Sequence, residues 1–302
     1  MVARIAVALA LPSLLLISNT PPAVGVLPTP QGAILTGGAA IAGLHQRPLP
    51  DLACPIGLGV GHLSHRFFFS DSHQRVRSIS PRMDVSRTLD FSEEKPLSID
   101  QADERRFIAV SAQSNALYYV SAREAPRLLA SLPSHNAVGN QVSVATTAEG
   151  GDIFAASSRD TEGWWVRRTA SETAISRVGL AGPGTRALTV EEGSGDVYAI
   201  AGLIQESLFR ISPATNSIST VAALADGAQA LAVDPTRHRI FVSEYGGEVT
   251  TLDSHGNKQR KWIMGSLAAQ GPPFNSLAYD RENRTLYFSS CAGNFVGIIR
   301  NF

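Results

Sequence analysis

The sequence lacks any excess of charge. Among its 302 residues, 26 are Lys or Arg and 26 are Asp or Glu, so the formal net charge at neutral pH is zero. Nucleic acids and anionic membranes attract proteins through clustered Lys and Arg. We therefore expect neither nucleic acid nor a membrane surface as a partner, and we expect a monomer.

The sequence also has few metal-ligand signals. It contains only two cysteines, and no two of its seven histidines have the spacing of a helical metal-binding pair. Structural zinc sites need closely spaced Cys and His. We therefore predict no metal site and no cofactor.

Long apolar runs are missing as well. Ile5–Ile17, interrupted by Pro12 and Ser13, follows Arg4 and is too short to span a bilayer. Its length is typical of a secretory signal, with Ala23-Val24-Gly25 as the best cleavage motif. We predict a signal peptide over 1–25, an extended leader over 26–38 and a secreted protein.

A hairpin phrase repeats along the remaining chain. Ala230–Glu244 places two alternating apolar runs around a polar turn, and Leu277–Ser290 repeats the pattern. Six marker residues, one in each copy, are spaced by 39, 45, 46, 43 and 46 positions: Val60, Ile99, Val144, Val190, Val233 and Tyr279. A period in the forties with several strand signals per copy predicts an all-β, six-bladed propeller of four-stranded antiparallel blades over 39–302.

The first strand of each copy supports this fold. Between its two large apolar residues stands a small one in every copy: Gly59, Ser98, Ser143, Thr189, Ala232 and Ala278. Six inner strands that converge on an axis need small side chains on one face.

The last blade has only three strand signals before Phe302. We predict that Ala39–Leu44 supplies its fourth strand, so that an N-terminal strand closes the ring and removes an open edge. Cys54 and Cys291 then flank the closure at the same rim. In an oxidising compartment we expect them to form a disulfide, with two buried free thiols as the alternative.

The rim where the inner strands begin is the predicted ligand site. The residue at that offset is polar in five of six blades: Ile56, Lys95, Asn140, Arg186, Gln229 and Asn275. Convergent polar groups in a concavity favour a ligand site, although they could also plug the channel by bonding to each other and to water.

Candidate proton-transfer residues lie on the same rim. Asp71 and Glu244 are the only acids at the ends of the second strands, and His73 and His135 lie in loops at this rim. Either acid could act as a general acid or base if partly buried. A solvated carboxylate, or a partner for Arg186 or Lys95, is the alternative.

The phrase Leu231–Glu244 resembles the six-bladed superfamily of gluconolactonases, strictosidine synthases, paraoxonase-type lactonases and NHL-repeat proteins. In gluconolactonases, this resemblance implies a calcium site formed by a Glu, two Asn and an Asp. Asn140 and Asn275 match the amides, but Ile56 stands where an acid is expected, and Lys95, Arg186 and Gln229 fill the other blades. Calcium needs anionic oxygen ligands, so the lactonase is disfavoured.

The residues and the resemblance leave three functions open. The first is a metal-independent enzyme of secondary metabolism that performs a cyclisation, lyase or addition reaction, similar to virginiamycin lyases or hetero-Diels–Alderases. In it, Lys95 and Arg186 would polarise an oxygen of a small organic substrate, Asn140, Gln229, Asn275 and His73 would bind it, and Glu244, Asp71 or His135 would move a proton. The second is a non-catalytic protein- or glycan-binding module, and the third is a calcium-dependent lactonase.

Overall fold

The computed structural model describes most of the repeat region. The described residues are 32–36, 45–49, 51–61, 64–73, 75–90, 96–103, 106–111, 116–121, 124–132, 142–147, 152–157, 162–168, 172–180, 184–202, 205–225, 227–245, 247–263 and 274–300. All regular elements in these ranges are β-strands. The same ranges contain no helix long and apolar enough to cross a membrane.

We number the strands in chain order and group them by blade. Two strands precede the first blade: β1 (Gly32–Thr36) and β2 (His45–Pro48). Blades one to three comprise β3 (Ile56–Val60), β4 (Phe67–Ser70), β5 (Arg75–Ile79), β6 (Val85–Asp90); β7 (Pro96–Asp103), β8 (Arg106–Ser111), β9 (Ala116–Ser121), β10 (Arg127–Ser131); β11 (Val142–Thr146), β12 (Asp152–Ser157), β13 (Glu162–Arg168) and β14 (Thr173–Gly179). Blades four to six comprise β15 (Ala187–Val190), β16 (Val197–Ala201), β17 (Ser207–Ser212), β18 (Ser217–Ala223); β19 (Ala230–Asp234), β20 (Arg239–Glu244), β21 (Glu248–Asp253), β22 (Lys258–Ile263); β23 (Ser276–Asp280), β24 (Thr285–Ser290) and β25 (Phe295–Arg300).

These strands form six sheets arranged as a ring. Five sheets have four strands in meander order, and the sheet of β23, β24 and β25 is extended to five by β1 and β2. Each inner strand contacts the inner strand of the next blade, and β23 contacts β3. The predicted all-β propeller of small antiparallel sheets is confirmed.

The hydrophobic core lies between neighbouring blades. Successive side chains of a strand point to opposite faces of its sheet. Because a blade packs between two neighbouring blades, side chains on both of its faces are buried. Between blades one and six, Phe67 stacks on Tyr287, with ring centroids 5.4 Å apart. Between blades five and six, Phe274 packs against Phe288 at 4.6 Å. This packing fixes the inner strands around the axis and thereby positions both ends of the channel.

An N-terminal strand completes blade six, but it is not the predicted one. β1 pairs antiparallel with β25, from Gly32 opposite Ile299 to Thr36 opposite Phe295. β1 therefore falls within the stretch predicted as leader, whereas Ala39–Leu44 lies outside the described residues. The prediction that Ala39–Leu44 supplies the fourth strand is wrong, because β1 occupies the place beside β25. β2 then adds a parallel strand to the outside of β1, which the sequence did not suggest.

The ring closure is reinforced covalently. Cys54 and Cys291 form the predicted disulfide, which joins the entry to blade one with the end of β24. Asn294 binds on both sides of it, because its Oδ1 accepts from Cys54 N at 2.9 Å and its Nδ2 donates to the Leu52 carbonyl at 2.9 Å. Gly57 lies in the same seam, and a Cβ there would come within 2.4 Å of the Ser276 Cβ. Blades one and six are therefore closely packed against each other.

Candidate functional site

The central channel has two ends with different chemistry. At the strand-start end, the inner strands begin and the second strands finish. At the turn end, the inner strands finish and turn back into the second strands. The sequence analysis placed the ligand site at the strand-start end, where all of its candidate site residues belong.

Three of the predicted residues cannot be placed. Lys95, Asn140 and His135 lie outside the ranges that the structure describes. Ile56 begins β3 and is half-buried, which agrees with its apolar character. The roles proposed for Lys95, Asn140 and His135 remain predictions.

Arg186 takes part in a buried ion pair. Its Nη1 lies 2.6 Å from Glu206 Oε1, and Glu206 is almost fully buried. The other carboxylate oxygen, Oε2, accepts from the backbone N of Ala228 at 2.5 Å. Glu206 thus ties the start of β15 to the segment that enters blade five. The sequence analysis missed Glu206 because it lies in the loop before β17, outside both predicted rings.

Asp71 is the centre of another buried ion cluster. Its carboxylate lies 2.9 Å from Arg75 Nη2 and 3.0 Å from Arg77 Nε, although that Nε–H does not point directly at the oxygen. Both guanidinium groups also reach Asp51, and the hydrogen bond from Arg77 lowers the pKa of Asp51 to about 2. The alternative to a proton-transfer role was a solvated carboxylate or a partner for Arg186 or Lys95, whereas the structure pairs Asp71 with two arginines of its own blade. The sequence signal for this cluster was the spacing of Arg75 and Arg77, because residues two apart on a strand lie on the same face of the sheet.

His73 lies in the same loop and is exposed. Its backbone N donates to Asp71 Oδ1 at 3.0 Å, so the residue helps to hold the carboxylate. The imidazole is at the rim, as predicted, and its ligand-binding role stays a prediction.

Glu244 differs from the other predicted acids. It ends β20 and its side chain is 3% exposed. Its Oε2 lies 3.6 Å from Lys261 Nζ, but its Oε1 is buried and has no hydrogen-bond partner among the described residues. A buried oxygen without a donor is costly, since it loses its hydration without replacement. Such exceptions in a native fold call for an explanation, and function is one.

Lys261 and Glu248 complete the surroundings of this carboxylate. Glu244 and Glu248 are opposite each other on β20 and β21, and Lys261 on β22 forms ion pairs with both. The hydrogen bond to Glu248, together with the nearby Glu244, raises the pKa of Lys261. The lysine therefore stays charged beside the two carboxylates.

Gln229 stands across the ladder from Glu244. Its backbone N donates to Ser243 O at 3.3 Å, just before Ala230 pairs with Ser243, so Gln229 and Glu244 continue this pairing at the strand-start end. Tyr245 follows at 60% exposure and covers Gly227, where a Cβ would meet its ring at 1.6 Å. Positive φ and this close contact both require glycine at 227. The structure thus brings a buried acid, an amide and an exposed aromatic ring to one corner of the rim.

Asn275 is engaged at the closure of the ring. Its Oδ1 accepts from the backbone N of Cys291 at 2.7 Å, directly beside the disulfide. This bond stabilises the start of β23. The amide Nδ2 is the part of Asn275 that a ligand could use as a donor.

The turn end contains the cavity of the channel. It has a volume of about 150 Å³ and is lined by consecutive residues of the inner strands, such as Leu231, Ala232 and Val233 in β19. Neighbouring residues of one strand point to opposite faces, so a lining of consecutive residues means that the strand edges face the cavity. The sequence analysis placed the concavity at the other end, and this is a finding that it missed.

Charged side chains surround the mouth of this cavity. Arg281 of blade six reaches Glu192 of blade four, with Nη1 and Oε2 at 3.4 Å. His65 of blade one approaches Asp280 and Glu282 of blade six at 3.2 and 3.3 Å. The acids that follow the inner strands were the signal available in the sequence, since Glu191-Glu192, Asp234 and Asp280 occupy equivalent turns in blades four to six.

Tyr279 lies in the cavity wall beside the next blade. Burial, together with the neighbouring carboxylate of Asp234, raises the pKa of Tyr279 to about 12. The hydroxyl therefore keeps its proton at neutral pH and can donate. It links blade six to blade five at the level of the cavity.

Candidate metal ligands do not cluster in the described part of the chain. No group of three or more His, Cys, Asp or Glu side chains there is arranged to hold a metal ion. Among the described inner-strand starts, Ile56, Arg186, Gln229 and Asn275 offer no carboxylate.

Comparisons with known proteins extend only to the fold. No protein-family model matches the chain. No curated protein matches it in sequence either. Among solved structures, it is similar to a gluconolactonase from Xanthomonas campestris, with a TM-score of 0.65, 13% identity and coverage of 82% of this chain and 87% of that one.

Two further structures show how widely this architecture is used. A streptogramin B lyase matches with a TM-score of 0.61 and 13% identity over 89% of this chain and 84% of that one. Hydrazine synthase from Kuenenia stuttgartiensis matches with a TM-score of 0.59 and 14% identity over 87% and 99%. At such identities the likeness shows a propeller of this type and does not assign an activity.

Proposed function

We propose that this protein is a secreted, metal-independent enzyme that binds a small organic molecule at the strand-start end and uses Glu244 to transfer a proton. The observation that carries the proposal is the buried Oε1 of Glu244, to which no donor in the described part of the chain is hydrogen-bonded. A carboxylate oxygen free of protein donors can accept a proton from a substrate C–H or O–H group. Lys261 Nζ lies 3.6 Å from the other carboxylate oxygen, Oε2.

The reaction class we propose is an elimination, addition or cyclisation next to a carbonyl. In that chemistry the base removes or delivers a proton while fixed donors stabilise negative charge on the oxygen. Gln229 and Asn275, with Lys95 and Asn140, are the donors we assign to this task. Arg186 is already bound by the buried Glu206, so its role is smaller than its charge suggests.

Two fold relatives support an enzyme over a binding module. One is named as a lyase and another as a gluconolactonase, and both are similar over most of the chain. A protein-binding module would favour a large exposed apolar rim. In the described ranges, the large exposed apolar side chains are Leu128, Ile175 and Tyr245, which lie on three different blades.

The test compares two acids that share one lysine. Wild-type protein, Glu244→Gln and Glu248→Gln are assayed by mass spectrometry for conversion of streptogramin B and of glucono-δ-lactone, with and without EDTA. Glu244→Gln should reduce turnover by at least ~100-fold, the usual contribution of a general base, and Glu248→Gln should reduce it by only about twofold. Turnover that survives Glu244→Gln removes this residue from the mechanism.

The same assay separates the alternatives. Loss of lactone hydrolysis with EDTA, together with calcium-dependent thermal stabilisation, would indicate the calcium lactonase instead. Failure of both substrates, combined with capture of a protein or glycan through the Tyr245 rim, would indicate the binding module.

A further inference from the structure

We infer that Asn283 is a modification site, whose side-chain amide carries an N-linked oligosaccharide at the turn end of blade six. Asn283-Arg284-Thr285 has the Asn-x-Ser/Thr pattern of an acceptor, and no other asparagine in the chain is followed two positions later by Ser or Thr. The inference rests on the secretion part of the proposed function, because secreted proteins receive this modification. It does not depend on the role of Glu244.

The turn that contains Asn283 is on the surface. Residues 281–284 connect β23 with β24 beyond the pair of Asp280 and Thr285, and all four are exposed. Arg284 has a φ of +48°, which proline cannot adopt, and proline is the middle residue that blocks the motif. An oligosaccharide is bulky and polar, so it needs an exposed position such as this one.

The hydrogen bonds of the turn are compatible with the modification. Asn283 Nδ2 donates to Asp280 Oδ2 at 2.8 Å. The amide has two N–H groups, and the reaction replaces only one, so the other can still donate to the same oxygen. The backbone N of Asn283 donates to Asp280 Oδ1 at 3.2 Å, and Thr285 Oγ1 donates to the Asn283 carbonyl at 3.1 Å. The modified turn can therefore keep the conformation that it has in the structure.

The reaction needs one co-substrate, an oligosaccharide linked to a lipid through pyrophosphate. Nδ2 of Asn283 forms a bond to the anomeric carbon of the first sugar, and the bond from that carbon to the pyrophosphate oxygen breaks. The amide loses one proton, and the lipid pyrophosphate is the leaving group. The transfer requires no oxidant or reductant.

The position of Asn283 determines which end of the channel the glycan affects. Arg281 and Glu282, which precede it in the same turn, line the cavity at the turn end. A glycan on Asn283 therefore lies beside the mouth of this cavity and hinders the approach of large partners there. The strand-start end, with Glu244, remains accessible.

Asn257 provides a matched comparison within the chain. It is exposed in the four-residue turn between β21 and β22. Its Nδ2 donates to Asp253 Oδ2 at 3.0 Å and its backbone N donates to Asp253 Oδ1 at 2.9 Å, so an aspartate holds it in the same way. The difference is the residue two positions later, which is Gln259 here and Thr285 after Asn283. We therefore expect Asn283 to be modified and Asn257 to be unmodified.

The experiment expresses the full chain in a eukaryotic secretory host, once with its own residues 1–25 and once with an established secretory leader in their place. Protein from the medium and from cell membranes is weighed by mass spectrometry before and after treatment with peptide N-glycosidase, which removes the glycan and leaves aspartate at the attachment point. We expect a glycan on wild type, conversion of Asn283 alone to aspartate, and loss of the glycan in Asn283→Gln. Thr285→Ser should keep the glycan, and Gln259→Thr should add a second one at Asn257.

The measured quantity is a mass, so the result does not depend on any enzymatic activity. A glycan on Asn283 with the established leader, but none with the native one, would support the inference and contradict the predicted signal peptide. An unmodified Asn283 in protein made with the established leader would overturn the inference, and modification of Asn257 in Gln259→Thr shows that such protein reached the enzyme. A glycan that persists in Asn283→Gln would overturn it as well.

Discussion

The two ends of the channel are built from different kinds of charge pair. At the strand-start end the acids are buried: Asp71, Glu206 and Glu244 are each 5% exposed or less. At the turn end Glu191 and Asp280 are buried as well, at 4% and 3% exposed, but the Arg281–Glu192 pair is 3.4 Å long and its arginine is 48% exposed. Buried pairs are expensive to break, because the remaining charge has no water around it, whereas exposed pairs exchange readily.

This difference indicates which end holds the ring together. The strand-start end contains the disulfide, the Asn294 and Asn275 bonds and the Asp71 cluster. Glu244 is the exception, since it is buried there without full compensation. A rigid frame that holds one uncompensated acid is suited to catalysis, and the exposed turn of Asn283 at the other end is suited to carry a glycan.

The largest stability effect should come from Asp71. Asp71→Asn removes the buried carboxylate that Arg75 and Arg77 share and leaves them only the exposed Asp51, so we expect a loss of roughly 3–5 kcal/mol in the free energy of unfolding. Arg281→Gln at the turn end, where the arginine is 48% exposed, should cost less than about 1 kcal/mol. Urea denaturation of the two variants measures both losses. Equal losses would contradict the claim that charge pairs at the two ends contribute differently to stability.

The disulfide should have a somewhat smaller effect. It closes a loop with a sequence separation of 237 residues. Replacing Cys54 and Cys291 together by Ser should lower the free energy of unfolding by about 2–5 kcal/mol, mainly because the unfolded chain gains freedom. Urea denaturation of the double variant measures this loss, with reduced wild-type protein as the control. Unchanged stability would mean that β1 and the blade interface close the ring without it.

The smallest effect concerns Asp51. Its pKa is lowered to about 2 by the hydrogen bond from Arg77, against an ordinary value of 3.8. A lowered folded-state pKa stabilises the protein above the ordinary value and loses that contribution as the pH falls from about 4 towards 2. The effect is small because the Asp51 side chain is 60% exposed. Asp51→Asn should slightly flatten the acid limb of the melting temperature against pH, and an unchanged profile would argue against the pair.

Much of the fold could be predicted from the sequence because the repeat is local. The markers from Val60 to Tyr279 fall in the inner strands, and the partners within a blade follow one another along the chain. Cys54 and Cys291 could be paired because ring closure brings the first and last blades together. The closing strand at Gly32–Thr36 was not predicted, because its partner β25 is far away in sequence and nothing local marks the pairing.

The candidate site was less predictable for a physical reason. Side chains at a blade interface contact residues of another loop. No local sequence pattern shows which residue that partner is. Arg186 was expected to be free for a ligand, but Glu206 binds it. Asp71 was a candidate general acid or base, but two arginines of its own blade form ion pairs with it. Only Glu244 has a buried oxygen left over among the predicted acids that the structure describes.

The most direct test measures turnover and glycan mass in the same two variants, Glu244→Gln and Asn283→Gln. The account predicts that Glu244→Gln loses turnover by at least ~100-fold and keeps its glycan. Asn283→Gln should lose the glycan and keep its turnover. If either variant loses both properties while remaining folded, the two ends of the channel do not have separate functions and the account is contradicted.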